Sequence, residues 1–182
     1  IDEPQKALNY MNSVSGDNLK KYLRNFGMSP IIDQAYGVIY TEMGRFDSAR
    51  IYLAKAKPMF ENSTNGNSQV GFYAQLASFY RKSGDKKNAI DYYLRVKEIS
   101  EKNGLLENVK KASQYLDTLY TETSNIPLAG KYNAVYYQYK DSIETLKREK
   151  ELTQLEADDE EIRQAKLAKE AEEIKKRRNN IQ

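Results

Sequence analysis

One spacing constrains this chain more than any other feature: the same residues return every 40 positions. Tyr40, Tyr80 and Tyr120 form one column, Ala49, Ala89 and Ala129 a second, and Tyr52, Tyr92 and Tyr132 a third. With Tyr at only 15 of 182 positions, two threefold tyrosine columns need a structural cause. Weaker columns follow the same register: Tyr36/Leu76/Leu116, Ile39/Phe79/Leu119, Gly44/Gly84/Ser124, and Gly37/Ala77, which Asp117 breaks. A period of this size means one supersecondary unit stacked on copies of itself.

Within each unit the apolar spacing is helical. Tyr36, Ile39, Tyr40 and Met43 step by three and four, as do Leu76, Phe79 and Tyr80, which predicts an amphipathic first helix. Gly44 and Gly84 then fall where the helix ends and the backbone needs positive φ. Asp85 and Asn125 are expected N-caps of a second helix, with Pro127 in its first turn. That helix carries Ala49, Tyr52, Leu53 and Ala56 in one unit and Ala89, Tyr92, Tyr93 and Val96 in the next. Small residues at Gly37, Ala77, Ala49, Ala89 and Ala129 let paired backbones approach, and each Tyr is expected to fill the core beside them.

The run Leu76-Ala77-x-x-Tyr80-x-x-x-Gly84-x-x-x-x-Ala89-x-x-x-Tyr93-x-x-Val96 resembles the tetratricopeptide repeat family. The period exceeds that family's usual length of about 34 residues, which longer helices would explain. Glu61, Glu101 and Asp141 stand where a closing Pro is usual in the family. The fold expected is an all-α solenoid of antiparallel helix pairs, with units at 30–69, 70–109 and 110–141. Ser29-Pro30 is expected to open the first unit as N-cap and first-turn proline. Residues 1–29 read as a degenerate helical pair: Ala7, Leu8, Tyr10 and Met11 lie on one stretch, Gly16-Asp17 interrupts, and Leu19, Tyr22, Leu23 and Phe26 follow. They are a cap or a truncated repeat.

Residues 142–182 read as a long charged helix or coiled coil. No Gly or Pro follows Gly130, so nothing local ends a helix before Asn179. Ile143, Leu146, Leu152, Leu155, Ile162, Leu167, Ala171, Ile174 and Ile181 recur near a helical period with broken heptads, and charges fill most other places. Such a helix is expected to fray alone and to order in a coil or against a partner. The stretch from Ala129-Gly130-Lys131-Tyr132 through Tyr136, Tyr137 and Tyr139 to Asp141-Ser142, with the Glu/Lys/Leu-rich coil after it, resembles the segment before the membrane span in bacterial membrane-anchored tetratricopeptide sensor kinases and regulators. That resemblance implies a periplasmic sensor part of an inner-membrane two-component protein, with a span and output domain elsewhere. The basic run Lys175-Lys176-Arg177-Arg178 opposes the positive-inside tendency for that placement, though large translocated domains largely escape it.

Composition narrows the chemistry. There is no Cys and no His, which removes thiol nucleophiles, imidazole bases, Ser-His-Asp triads and the usual zinc ligand sets. No cofactor or metal site and no catalytic residue is expected, and the carboxylates Asp158 to Glu161 splay around a helix instead of converging. Lys+Arg 29 against Asp+Glu 26 is too balanced for a nucleic-acid footprint. No stretch approaches the roughly 20 apolar residues of a membrane span. What remains is binding.

Carrying the family's groove onto this sequence gives Gln34, Val38, Thr41, Gln75, Ser78, Arg81, Gln114, Tyr115, Thr118 and Thr121, with Glu42, Lys82 and Glu122 beside them. A protein or peptide partner is expected there, or a small ligand, with the C-terminal helix offering a homodimer contact. The competing reading is a cytoplasmic scaffold or co-chaperone whose groove gathers partner proteins.

Overall fold

The structure, a computed structural model, describes residues 3–14, 21–23 and 25–179. It is all-α, a solenoid of packed antiparallel helix pairs with a long C-terminal helix, and has no strand among the described residues. The helices are α1 (Glu3–Val14), α2 (Ser29–Glu42), α3 (Phe46–Glu61), α4 (Gly66–Lys82), α5 (Lys86–Lys102), α6 (Leu106–Glu122) and α7 (Ile126–Asn179). The expected break at Gly16-Asp17 and Leu19 lie outside the described residues. Two compact units divide the chain, Ile1–Tyr139 and Lys140–Gln182.

The 40-residue step has a simple content. Helices α4, α5 and α6 are each 17 residues long, and three-residue turns join them, so a pair of long helices with its turns fills the period. The turns repeat in chemistry. Gly44 and Gly84 hold φ of 70° and 86°, and Ser124, their column partner, holds 59°. At each, the amide after the turn donates to the carbonyl of the column tyrosine: Arg45 to Tyr40 at 2.9 Å, Asp85 to Tyr80 at 2.9 Å and Asn125 to Tyr120 at 2.8 Å. The turn residue itself donates to the next carbonyl, of Thr41, Arg81 and Thr121. This paired pattern closes a helix by satisfying carbonyls that the helix cannot. The four-residue offset from Tyr to Gly or Ser is thus a backbone requirement.

Caps follow local chemistry. Asp85 accepts from the Asn88 amide at 3.1 Å and caps α5, and Asn125 accepts from Leu128 N–H at 3.3 Å at the start of α7. Ser29, expected as the cap of α2, is instead already helical. Met28 holds the cap position with no side-chain bond, its own N–H tied back to Leu23 O at 2.8 Å, and Pro30 sits in the first turn as expected.

The core runs along the pairs through Leu53, Phe60, Phe72, Leu76, Phe79, Val96, Leu116 and Leu119, with Ala49, Ala77, Ala89 and Ala112 almost wholly buried where backbones approach. The tyrosine columns stack once per unit. Tyr40 lies over Tyr52, Tyr80 over Tyr92 and Tyr120 over Tyr132, each at 5.5 Å between centroids and within 21° of parallel. They are not uniformly buried as expected: Tyr92 and Tyr132 are buried, whereas Tyr40, Tyr80, Tyr120 and Tyr52 are half-buried. A stacked pair tolerates this because the rings cover each other's faces while the hydroxyls reach water. Beyond Tyr139 nearly every described residue is exposed, including Leu146, Leu152, Leu155, Ile162, Leu167 and Ile174.

Candidate binding groove

Helices α2, α4 and α6 share a face, and α5 closes it from below. Between them is a cavity of about 260 Å³. Its apolar wall consists of Val38, Ala74, Val96 and Ala112 with the rings of Tyr93 and Tyr115, and its polar groups are Thr41, Glu42, Gln75, Ser78, Asn108 and Lys111. Small residues make the space: Ala74, Ser78 and Ala112 stop short where a Leu would close it.

Tyr93 and Tyr115 stack at 4.8 Å and 19° between planes, holding one wall flat. Behind them Arg81 lays its guanidinium over the Tyr115 ring, 5.1 Å from the centroid. Its Nε is buried with no acceptor among the described residues, so attraction to the ring face carries part of the compensation. Burial pushes the Tyr93 hydroxyl above its ordinary value, and Arg81 beside it pulls partly back. Two polar ties join α2 and α4 beside the cavity. Gln34 Nε2 donates to Gln75 Oε1 at 2.9 Å, and Lys82 pairs with Glu42.

Of the residues expected from sequence, Val38, Thr41, Glu42, Gln75, Ser78 and Tyr115 line this cavity. Thr41 contributes its methyl side: it is only 4% exposed, and its hydroxyl donates to Gly37 O at 2.8 Å, which leaves no free O–H. Gln34 and Arg81 act one step back, on Gln75 and Tyr115. Gln114, Thr118 and Thr121 are exposed and are not among the lining residues, Thr118 donating to its own helix at Gln114 O. Sequence reasoning missed Tyr93 and Val96, which it placed in the core, and Asn108 and Lys111, one turn earlier on α6 than the positions chosen. The signal was present in Ala112, a small residue where Phe72, its column partner, is large. That exchange opens the space between α4 and α6.

Among the described residues no cluster of Asp, Glu, Cys or His is arranged to hold a metal, and no helix is long and apolar enough to cross a membrane.

The tetratricopeptide repeat family model matches residues 34–57 and 70–103. A search of curated proteins finds no match. Among solved structures the chain is similar to that described as the crystal structure of BtubC (BKLC) from P. vanneervenii, with a TM-score of 0.60 and 16% identity over 79% of this chain. The match spans 59% of that chain's length, and at this identity it speaks to the fold alone. The helix pairs and the turn chemistry agree with the family match: residues 34–57 and 70–103 match tetratricopeptide repeats, a kind of repeat that indicates a protein–protein interaction module.

Proposed function

We propose that the groove between α2, α4, α5 and α6 holds a segment of a partner protein by one apolar side chain, and that the chain is the sensing part of a membrane-bound bacterial signalling protein, of the two-component or a related kind. The observation that carries the first half is the cavity itself: apolar walls of Val38, Val96, Ala112 and two stacked tyrosines, with Gln75, Ser78, Asn108 and Lys111 as polar groups beside them. At about 260 Å³ it is below the roughly 300–1,000 Å³ of drug-sized pockets. It suits a single Leu, Met or Phe side chain, with Gln75 and Asn108 bonding the peptide backbone on either side. Gln75 accepts from Gln34 through Oε1 and keeps its amide N–H groups for that task.

The relay half rests on α7. The helix whose Tyr132 stacks on Tyr120 is the same one that continues to Asn179 with no Gly or Pro after Gly130. A change of pose in the last repeat has a continuous helical backbone to act through. The division into units at 30–69, 70–109 and 110–141, the periplasmic placement, and a second copy of the chain meeting the first through residues 142–182 belong to the same proposal.

Selection from a displayed peptide library tests the groove. The expected peptides share one large apolar residue, and Ser78→Arg, which fills the cavity, weakens them by about 100-fold without lowering the melting temperature. Peptides with no apolar consensus, or binding indifferent to Ser78→Arg, would overturn it. The basic run Lys175 to Arg178 favours the second reading, a scaffold with no membrane attachment. Fractionation of the native protein from its cell separates the two: a membrane pellet resistant to salt supports the sensor, and a supernatant protein supports the scaffold.

A further inference from the structure

On the other side of α2 from the groove lies a second cavity, of about 250 Å³. At 100° per residue Tyr36 and Tyr40 point roughly 160–200° away from Val38, so the two sites are separate. Asn12 of α1, Ser29, Asp33, Tyr36 and Tyr40 of α2, and Tyr52 of α3 frame it. The three rings lie nearly parallel in a triangle: Tyr36 to Tyr52 5.1 Å, Tyr40 to Tyr52 5.5 Å and Tyr36 to Tyr40 6.3 Å. Tyr36 donates its hydroxyl to Asn12 Oδ1 at 3.0 Å, which ties α1 to the site.

This end of the stack departs from the repeat where it need not. The equivalents of Tyr36 are Leu76 and Leu116, both buried, so packing alone is met by Leu. The equivalents of Asp33 are Tyr73 and Ser113, neither of them charged. Here a carboxylate and three phenols line one cavity. Burial pushes the Asp33 carboxyl up, and Lys55 pulls only partly back. The Tyr52 hydroxyl is pushed up by burial, then by the phenols of Tyr40 and Tyr36 and by Asp33. A positive charge entering the cavity would offset the burial of the Asp33 carboxylate. The chain already shows the preference, since Lys55 holds its Nζ over the Tyr52 ring at 5.3 Å.

We propose that this cavity binds a primary ammonium group on a short alkyl stem, with Asp33 as counter-ion, phenol oxygens as further acceptors and the ring faces against the stem. A lysine side chain of a partner protein and a free alkyl diamine present the same chemistry. Lys55 competes with either from outside.

The test is an NMR titration of the full chain with Nα-acetyl-lysine methylamide, its Nε-acetylated form, and 1,4-diaminobutane. Saturable shifts at Asp33, Tyr36 and Tyr52 are expected with an amine, together with a fall in the Asp33 pKa on saturation. Both Asp33→Asn and Nε-acetylation weaken binding about tenfold or more, as loss of a charge-assisted bond requires. Lys55→Ala tightens it. Tyr36→Leu, which installs the residue of the other units and so keeps the fold, abolishes it. Response to the lysine derivative alone identifies a partner's side chain, and response to the diamine alone a free amine; either supports the site. No saturable shift with either amine up to about 10 mM, weaker than any specific contact of this kind, overturns it, as does equal binding by Asp33→Asn.

Discussion

Ser124 holds φ of 59° at the turn where the two preceding units use Gly44 and Gly84. A side chain in that region costs about 1 kcal/mol relative to glycine. Ser124→Gly is therefore expected to raise the melting temperature by about 3–5 °C, and Gly84→Ala to lower it by a similar amount. Calorimetry of both variants checks this, and a Ser124→Gly protein no more stable than its parent would contradict the turn geometry. Gly37 meets a different demand. A Cβ there would lie 2.7 Å from Leu53 Cδ2 and Cγ and 3.3 Å from its backbone nitrogen, so α2 and α3 would have to part. Gly37→Ala should cost about 1–3 kcal/mol, measured by urea unfolding. At this scale most of the turn chemistry was legible from sequence, because Gly, Asp and Asn act on neighbouring backbone. Ser29 was misread because Ser-Pro fits both a cap and a first turn. Only the tie from Met28 N–H to Leu23 O, five residues back, decides between them.

At the scale of helices, the stacked tyrosines set the alkaline limit of the fold. Tyr80 and Tyr120 have hydroxyls pushed above the ordinary 10.0, by burial first and then by their stacked partners Tyr92 and Tyr132. Tyr52, Tyr93 and Tyr132 are raised too, with burial again the main cause. A folded-state value above the unfolded one means the unfolded chain releases its proton first. Their full contribution is present below pH 10 and is lost as pH rises from there through the folded values. With no His or Cys, no side chain has an ordinary value between about 5 and 8, so stability should be level across neutrality. Urea midpoints from pH 6 to 11 test this, and the double variant Tyr80→Phe/Tyr120→Phe should show a shallower alkaline loss. Helix identity and length were readable from period and turns. The groove was read only in part, since sequence period does not say which side of α5 Tyr93 and Val96 face once Ala112 replaces a large residue across from them.

The tail follows helix physics of its own. Glu144–Arg148, Glu172–Lys176 and Glu173–Arg177 pair one turn apart, with the acid N-terminal, the favourable order. Leu152 lies roughly 120° around the axis from Leu146, and Leu167 about 140° from Ile162, so the apolar residues make no single stripe. Ion pairs at about 0.3–0.5 kcal/mol each then support the helix. Circular dichroism of the full chain and of residues 1–139 should differ by a tail signal that weakens as salt rises from about 10 mM to 1 M. The repeat unit should melt at an unchanged temperature. A tail signal indifferent to salt would place its support elsewhere.

For the molecule as a whole, two features make the account functional: a repeat unit with a built cavity on the face shared by α2, α4 and α6, and a last helix that belongs to that unit and continues beyond it. Period 40 pointed to the helix pairs, because columns of Tyr, Ala and Gly mark backbone approach directly. What fills the cavity was beyond sequence, because a cavity is an absence made by small residues on two separate helices, α4 and α6, and walled by two more. Methyl NMR of Val38, Ala74, Val96 and Ala112, titrated with a peptide selected for the groove, tests the central claim most directly. Large saturable shifts at these four, with Leu146, Leu167 and Ile174 of the tail unperturbed by direct contact, are predicted. Shifts at the tail methyls with the groove silent would contradict it.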